Sequence, residues 1–260
     1  MSFKDSVAGT LTVAGLLCVV CSVLVSGSAV ILRPKQEFNK RLDIKKNLLI
    51  AAGVVEDSNI TAQKIEQAYK NVKAQVIDFE TGEVTDMDPE TFDQNKAAKT
   101  PGQNISIPND KDLGRIRFRS KYGKVFQILE NGQVVKLVLP IKGKGLWSTL
   151  YGFITLDTDT KTVLGIGYYQ HGETAGLGGE VDNPKWKQGW KNKVALNDSY
   201  EPIIDVVKGS VNLSDPNASH QIDGLSGATL TSNGVEGMVN YWLGEHGYGA
   251  YLEKFRSEAM

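Results

Sequence analysis

The chain has 260 residues, 41% of them hydrophobic, enough for one apolar anchor and a domain with its own core. A formal net charge of -1 gives no electrostatic reason to expect a nucleic-acid or other polyanionic partner. The 2 cysteines, Cys18 and Cys21, both fall in the apolar N-terminal stretch, so the rest of the chain has no thiol for a disulfide, an iron–sulfur cluster or a cysteine-ligated zinc.

Ser6 to Leu32 carries no charged side chain. As a helix it would reach about 40 Å, more than the ~30 Å hydrocarbon core of a bilayer. Leu11, Leu16, Leu17, Val23, Leu24 and Ile31 supply apolar surface, and a transmembrane helix is the expected reading. The Ser26–Ala29 run of small residues imitates a signal-peptide cleavage site, but the apolar stretch is longer than the usual signal core. Cys18-x-x-Cys21 offers only two ligands and reads as small apolar helix residues. Lys4 is the one basic side chain before the span, while Arg33, Lys35, Lys40 and Arg41 follow it. By charge alone the large domain would face the cytoplasm.

Gln36 to Ala52 reads as a further helix, with Phe38, Leu42, Leu48 and Leu49 on its apolar face. Asn59-Ile60-Thr61 opens another, capped by Thr61, with Ile65, Ala68, Tyr69 and Val72 as its stripe and Asp78 at its end. Thr81 to Asn109, with Pro89, Pro101 and Pro108, reads as a long surface connection. From Arg115 the pattern turns to strands. Val125–Ile128 and Val134–Leu139 flank Asn131-Gly132, a hairpin signal, and Leu150–Leu156 and Val163–Tyr169 form a second pair. Pro184–Trp190 reads as a short helix, Ile203–Val207 as a strand, and Ser232–Leu243 and Gly249–Arg256 as terminal helices. The expected fold class is α+β: a single N-terminal transmembrane helix, then a twisted antiparallel sheet with flanking helices. The expected division is residues 1–35 as anchor, 36–112 as a helical and polar connecting region, and 113–260 as the ligand-binding domain.

Three segments carry candidate chemistry. Asp223-Gly-Leu-Ser226-Gly227-Ala228-Thr229-Leu-Thr231-Ser232 is a turn of small polar residues leading into a helix, whose free N–H groups would favour an anion such as phosphate. An ordinary capped loop is the plainer reading of those residues. His171-Gly-Glu173-Thr174-Ala175-Gly176-Leu177-Gly178-Gly-Glu follows a strand, and is either a ligand-lining turn or a surface turn. Gly143-Lys-Gly-Leu-Trp147-Ser148 precedes another strand, and Trp147 is either a ring-stacking residue or a core tryptophan. The three histidines, His171, His220 and His246, have no metal-ligand spacing, and no residue is assigned as catalytic or metal-binding.

The Asp-x-x-Ser-Gly-Ala-Thr string resembles the flavinylation motif of the FMN-binding domain family, and the other two segments resemble that family's Glu-Thr-Pro-Gly-Leu-Gly and Gly-x-Gly-x-Trp signatures, in the family's order. Ala175 stands where that family has proline. The anchor, the intervening region and Asp182–Trp186 extend the resemblance to the C-subunit family of the sodium-translocating NADH:quinone reductases. The shorter G subunit of the Rnf electron-transport complex is the alternative. The resemblance implies a covalent FMN, its phosphate joined to Thr229 by a flavin transferase that reads a motif including Asp223. Thr231 stays open as the attachment point. It further implies flavin contacts from Ser226, Gly227, Ala228, Glu173, Thr174, Gly176, Leu177, Gly178, Trp147 and Ser148. Electron relay with other membrane subunits of one respiratory complex follows, as does a domain on the periplasmic side of a bacterial inner membrane. A tethered non-redox binding module and a purely structural assembly protein are the rival classes.

Overall fold

A computed structural model describes residues 6–56 and 60–258, so Lys4 and Asn59 lie outside the described residues. The chain divides into two compact units, one ending at Ile44 and the other beginning at Lys45.

The two helices expected in the N-terminal region are one. Helix α1 runs from Val7 to Ala51 with Pro34 inside it. A proline in a helix interior ordinarily costs about 3 kcal/mol, because it removes a backbone donor and crowds the preceding turn. Good helix formers follow Pro34 here, and an Arg33–Glu37 pair at 3.4 Å brackets it on the surface. Leu11, Leu16, Leu17, Val23, Leu24 and Ile31 are all exposed. The most apolar 18-residue window has a mean hydropathy of 2.5 and is 0% buried within the protein. That surface has no protein to cover it, which fits a membrane span.

In the second unit, α2 (Ala62–Tyr69) is capped by Thr61, whose hydroxyl accepts from Lys64 N. It stops nine residues short of the expected end at Asp78. Val72–Asp78 is instead strand β1. Val76 and Ile77 are adjacent and both 0% exposed. A strand sends neighbouring side chains to opposite faces, so a sheet covered on both sides buries both of them. The next segment is irregular as expected, apart from α3 (Gln94–Ala97) and the paired short strands β2 (Asn104–Ser106) and β3 (Phe118–Ser120).

The main sheet adds β4 (Tyr122–Glu130), β5 (Gln133–Lys144), β6 (Thr149–Asp157) and β7 (Val163–Gln170), in the order β1-β4-β5-β6-β7 with every neighbour antiparallel. Asn131 and Gly132 take φ of 52° and 80°, as a tight β-hairpin turn demands. After β7 come a 3-10 turn (Gly178–Asp182), α4 (Pro184–Gln188), and the strands β8 (Asp205–Val206) and β9 (Gln221–Ile222). The strand expected over Ile203–Val207 shrinks to two residues and pairs in parallel with β9. Helices α5 (Thr229–Leu243) and α6 (Gly249–Glu258) close the chain, α5 starting three residues before the expected Ser232.

One sheet face, with Leu137, Leu139, Ile141, Ile154 and Leu156, joins Val235, Met238, Val239 and Trp242 of α5 in the core. Gly234 lies against Lys144 O, Met238 against Gly143, and Trp242 Nε1 donates to Lys142 O at 2.7 Å, so α5 lies antiparallel along β5. The other face meets the last turn of α1, which belongs to this second unit: Thr155 Oγ1 donates to Ala51 O at 2.9 Å, and Lys136 Nζ to Ala52 O at 2.8 Å.

Candidate functional site

Strands β5 and β7 both flank β6 in antiparallel fashion, so they run parallel to each other and end at the same edge of the sheet. The turn after β5 holds Trp147 and Ser148; the turn after β7 holds Glu173 to Gly178. Because α5 runs back along β5, its N-terminus, with Thr229, lies at that same edge. The topology thus collects three segments far apart in the chain, the second and third bridged by a contact across 58 positions.

Glu173 joins them. Its Oε1 accepts from Trp147 N at 3.0 Å, Ser148 N at 2.9 Å and Ser148 Oγ at 3.0 Å. Its Oε2 accepts from Leu146 N at 3.2 Å and Thr231 Oγ1 at 2.7 Å. The residue is 9% exposed. Burial alone pushes a carboxyl pKa up, but the bonds from Thr231, Ser148 and Trp147 outweigh it and hold Glu173 below its usual range. Ser148 Oγ also accepts from Gly172 N at 2.8 Å. His171 Nδ1 accepts from Glu173 N at 3.2 Å while Nε2 meets Asp182 Oδ2 at 2.7 Å, which places the ring proton on Nε2. Gly178 packs so tightly against this cluster that a Cβ there would lie 2.6 Å from Thr231 Oγ1 and 2.8 Å from Glu173 Oε2.

The turn at Ala175 is closed without the family's proline: Leu177 N and Gly179 N both donate to Thr174 O, at 3.1 and 2.9 Å. Thr174, Ala175 and Gly176 are all exposed at its tip. Leu177 lies over Gly227, whose φ of 69° brings its backbone into the left-handed region and whose Cβ, if present, would come within 3.0 Å of the leucine.

In the third segment, Asp223 Oδ1 accepts from Val211 N at 2.8 Å, and Asp223 O accepts from Trp186 Nε1 at 2.8 Å. Leu225 N donates to Ser232 Oγ at 2.9 Å, which closes the turn over Ser226 and Gly227. Ser226 and Gly227 are exposed and Ala228 is buried. Ala228 is the residue before the first helical position and provides no side-chain cap. The first N–H groups of α5 therefore keep their positive partial charge without a side-chain acceptor from the cap. Thr229, at the first helical position, is exposed, whereas Thr231 is 0% exposed with its hydroxyl given to Glu173.

These features fit an FMN. An uncapped helix start beside an exposed hydroxyl suits a phosphate ester. Trp147 at 69%, Leu146, Leu177 and Leu230 are exposed large apolar side chains around it, suited to a planar ring. That exposure excludes the core reading of Trp147. The structure brings Thr229, Trp147, Leu177, Ser226 and Gly227 to one surface. Glu173, Gly178 and Ala228 are buried supports, Thr174 is exposed and closes its turn through its carbonyl, and Asp223 is tied to the Val211 loop. Sequence reasoning missed Thr231 and Ser232 as internal fasteners and Leu146 and Leu230 as surface. Helical spacing from Thr229 would have revealed the first pair, had the helix start been read there.

A family model described as the FMN-binding domain matches residues 145–244. The chain is 43% identical, over 99% of its length, to the C subunit of the Na(+)-translocating NADH-quinone reductase of Yersinia pestis, covering 96% of that protein. It is 42% identical, over 98% of its length, to the protein of the same name from Pseudomonas aeruginosa, covering 98% of it. Among solved structures, NqrC of Shewanella oneidensis superimposes with a TM-score of 0.76 at 32% identity, over 84% of this chain and 99% of that one.

Proposed function

The chain belongs to the C-subunit family of the Na(+)-translocating NADH-quinone reductases, and on that premise we propose that it relays electrons within such a complex through an FMN esterified by its phosphate to Thr229. Similarity over 99% of the chain favours this family over the Rnf-type G subunit. The observation that carries the attachment is the exposed Thr229 hydroxyl at the first position of an uncapped helix, inside the Asp223–Thr229 motif.

Bound FMN supplies the exchange of single electrons. The chain supplies the rest. The free N–H groups at the start of α5 favour the phosphate charge, a contribution of about 0.3–1 kcal/mol at an exposed helix end. Trp147, Leu146, Leu177 and Leu230 keep water from the ring. The turn Asp223–Ala228 presents Thr229 to a flavin transferase. No acid or base is assigned, because electron transfer between cofactors needs none. Residues 113–260 form the flavin-carrying part. NADH oxidation and sodium translocation belong to the assembled complex, whose other subunits are this chain's partners.

The chain is membrane-associated through α1. We place the second unit on the periplasmic side of a bacterial inner membrane, where the transferase of the resembled family works. The basic residues after the span count against this, but charge is a weak guide for long translocated domains. A C-terminal phosphatase fusion active in the periplasm is the expected result; activity from cytoplasmic reporters alone overturns that orientation.

Intact mass of the full chain, made with and without the transferase, tests the reading itself. The expected difference is one FMN less one water. Equal masses would contradict it.

A further inference from the structure

We infer that Glu173 is a positioning residue for electron transfer, one whose ionised carboxylate holds the walls of the flavin site together and imposes a fixed negative charge on that site. The inference rests on the flavin reading above. The family resemblance would put Glu173 against the ring, but its two oxygens are already taken by five donors inside the protein. Three of those donors are backbone N–H groups of Leu146, Trp147 and Ser148, and one is the Thr231 hydroxyl of α5. A single side chain therefore fastens the Trp147 turn to the first turn of the helix that begins at Thr229. The backbone N–H of Glu173 is held in its own place by His171.

The charge is satisfied by dipoles rather than by a counter-ion. Among the described residues, the ion pairs include none to Glu173. A carboxylate stabilised this way keeps its net charge, and because Glu173 is itself buried that charge is screened less than one on the surface. Adding an electron to a flavin beside it is disfavoured, so the midpoint potential is held low. Removing a donor should strengthen the field, and removing the charge should abolish it.

Two variants separate the charge from a purely structural role. In Glu173→Gln the amide oxygen can still accept from Trp147 and Ser148. Its NH2 can donate to Thr231, whose hydroxyl can turn to accept, and only the 3.2 Å bond from Leu146 is lost. Thr231→Val keeps the shape and the carboxylate but removes one donor. Both full-length chains are co-expressed with the flavin transferase, and the bound flavin is followed by optical redox titration at pH 7. The expected result is a positive shift of the midpoint in Glu173→Gln and a negative shift in Thr231→Val. Shifts of the same sign, an unmoved potential in a flavin-loaded Glu173→Gln chain, or a folded Glu173→Gln chain that takes no flavin would each overturn the charge assignment. If Glu173→Gln does not fold, Thr231→Val decides alone: a negative shift supports the inference, and any other result overturns it. A wild-type chain without attached flavin would instead sink the functional reading.

Discussion

Thr231 Oγ1 donates to Glu173 Oε2 at 2.7 Å from a fully buried position, while Thr229, two residues earlier on the same helix, is exposed. The two threonines that the sequence left as rivals are thus chemically unlike. Thr231→Val should keep its covalent flavin by intact mass. It should also lower the urea midpoint by an amount worth about 1–3 kcal/mol, the usual cost of losing a hydrogen bond to a buried charge. A Thr231→Val chain without flavin would return Thr231 to contention.

Glu173 also predicts a pH dependence. Its folded pKa lies below the ordinary value of 4.5, so the stability it contributes is fully present above that value and is lost as pH falls through the folded value. The gap in urea midpoint between wild type and Glu173→Gln should be constant from about pH 7 to about 5 and should shrink below about 4.5. A gap independent of pH down to about 3 would contradict the assignment.

Gly178→Ala tests the tightness of the same cluster. The new Cβ would fall 2.6 Å from Thr231 Oγ1, which forces that hydroxyl or the carboxylate to move. A destabilisation of about 1–3 kcal/mol, typical of overpacking, is expected, together with reduced flavin loading. Unchanged stability and loading would show that the cluster yields freely.

Lys142 sits half-buried in β5, across from Tyr151 on β6, and its pKa is lowered to about 8 by burial first and by Lys99 second, against the opposing pull of Asp93. A lysine whose folded pKa is depressed opposes folding below that value, where it is charged in both states, and opposes it progressively less as pH rises toward 10.5. Lys142→Met should therefore stabilise the chain at pH 7, by about 1–3 kcal/mol, and the gain should fade between about pH 8 and 10.5. Thermal midpoints of the two chains across that range provide the check; a gain that grows with pH would contradict it.

The parts of this fold legible in the sequence are those set by local chemistry. Asn131-Gly132 demands a tight hairpin because both residues accept positive φ, and the strands on either side follow. The apolar run before Leu32 shows itself by the absence of charge. Where tertiary contacts decide, the pattern misleads. Val72 to Asp78 continues a helical stripe on paper, yet it is a strand because Val76 and Ile77 each meet a different layer. Thr229 looks like loop because small polar residues surround it, and only the packing of α5 on β5 fixes the helix start. The three motif segments are legible by resemblance. The work of Glu173 was not, because its donors lie 25 to 27 positions upstream and 58 downstream, brought together by two parallel strands of one sheet.

The most direct test of the account is the mass of the full chain co-expressed with the flavin transferase, followed by fragmentation of the peptide spanning residues 221–236. The account predicts one FMN less one water, carried on Thr229, absent from Thr229→Ala and retained in Thr229→Ser. The same mass increment in Thr229→Ala, or its location on any other residue, would contradict it.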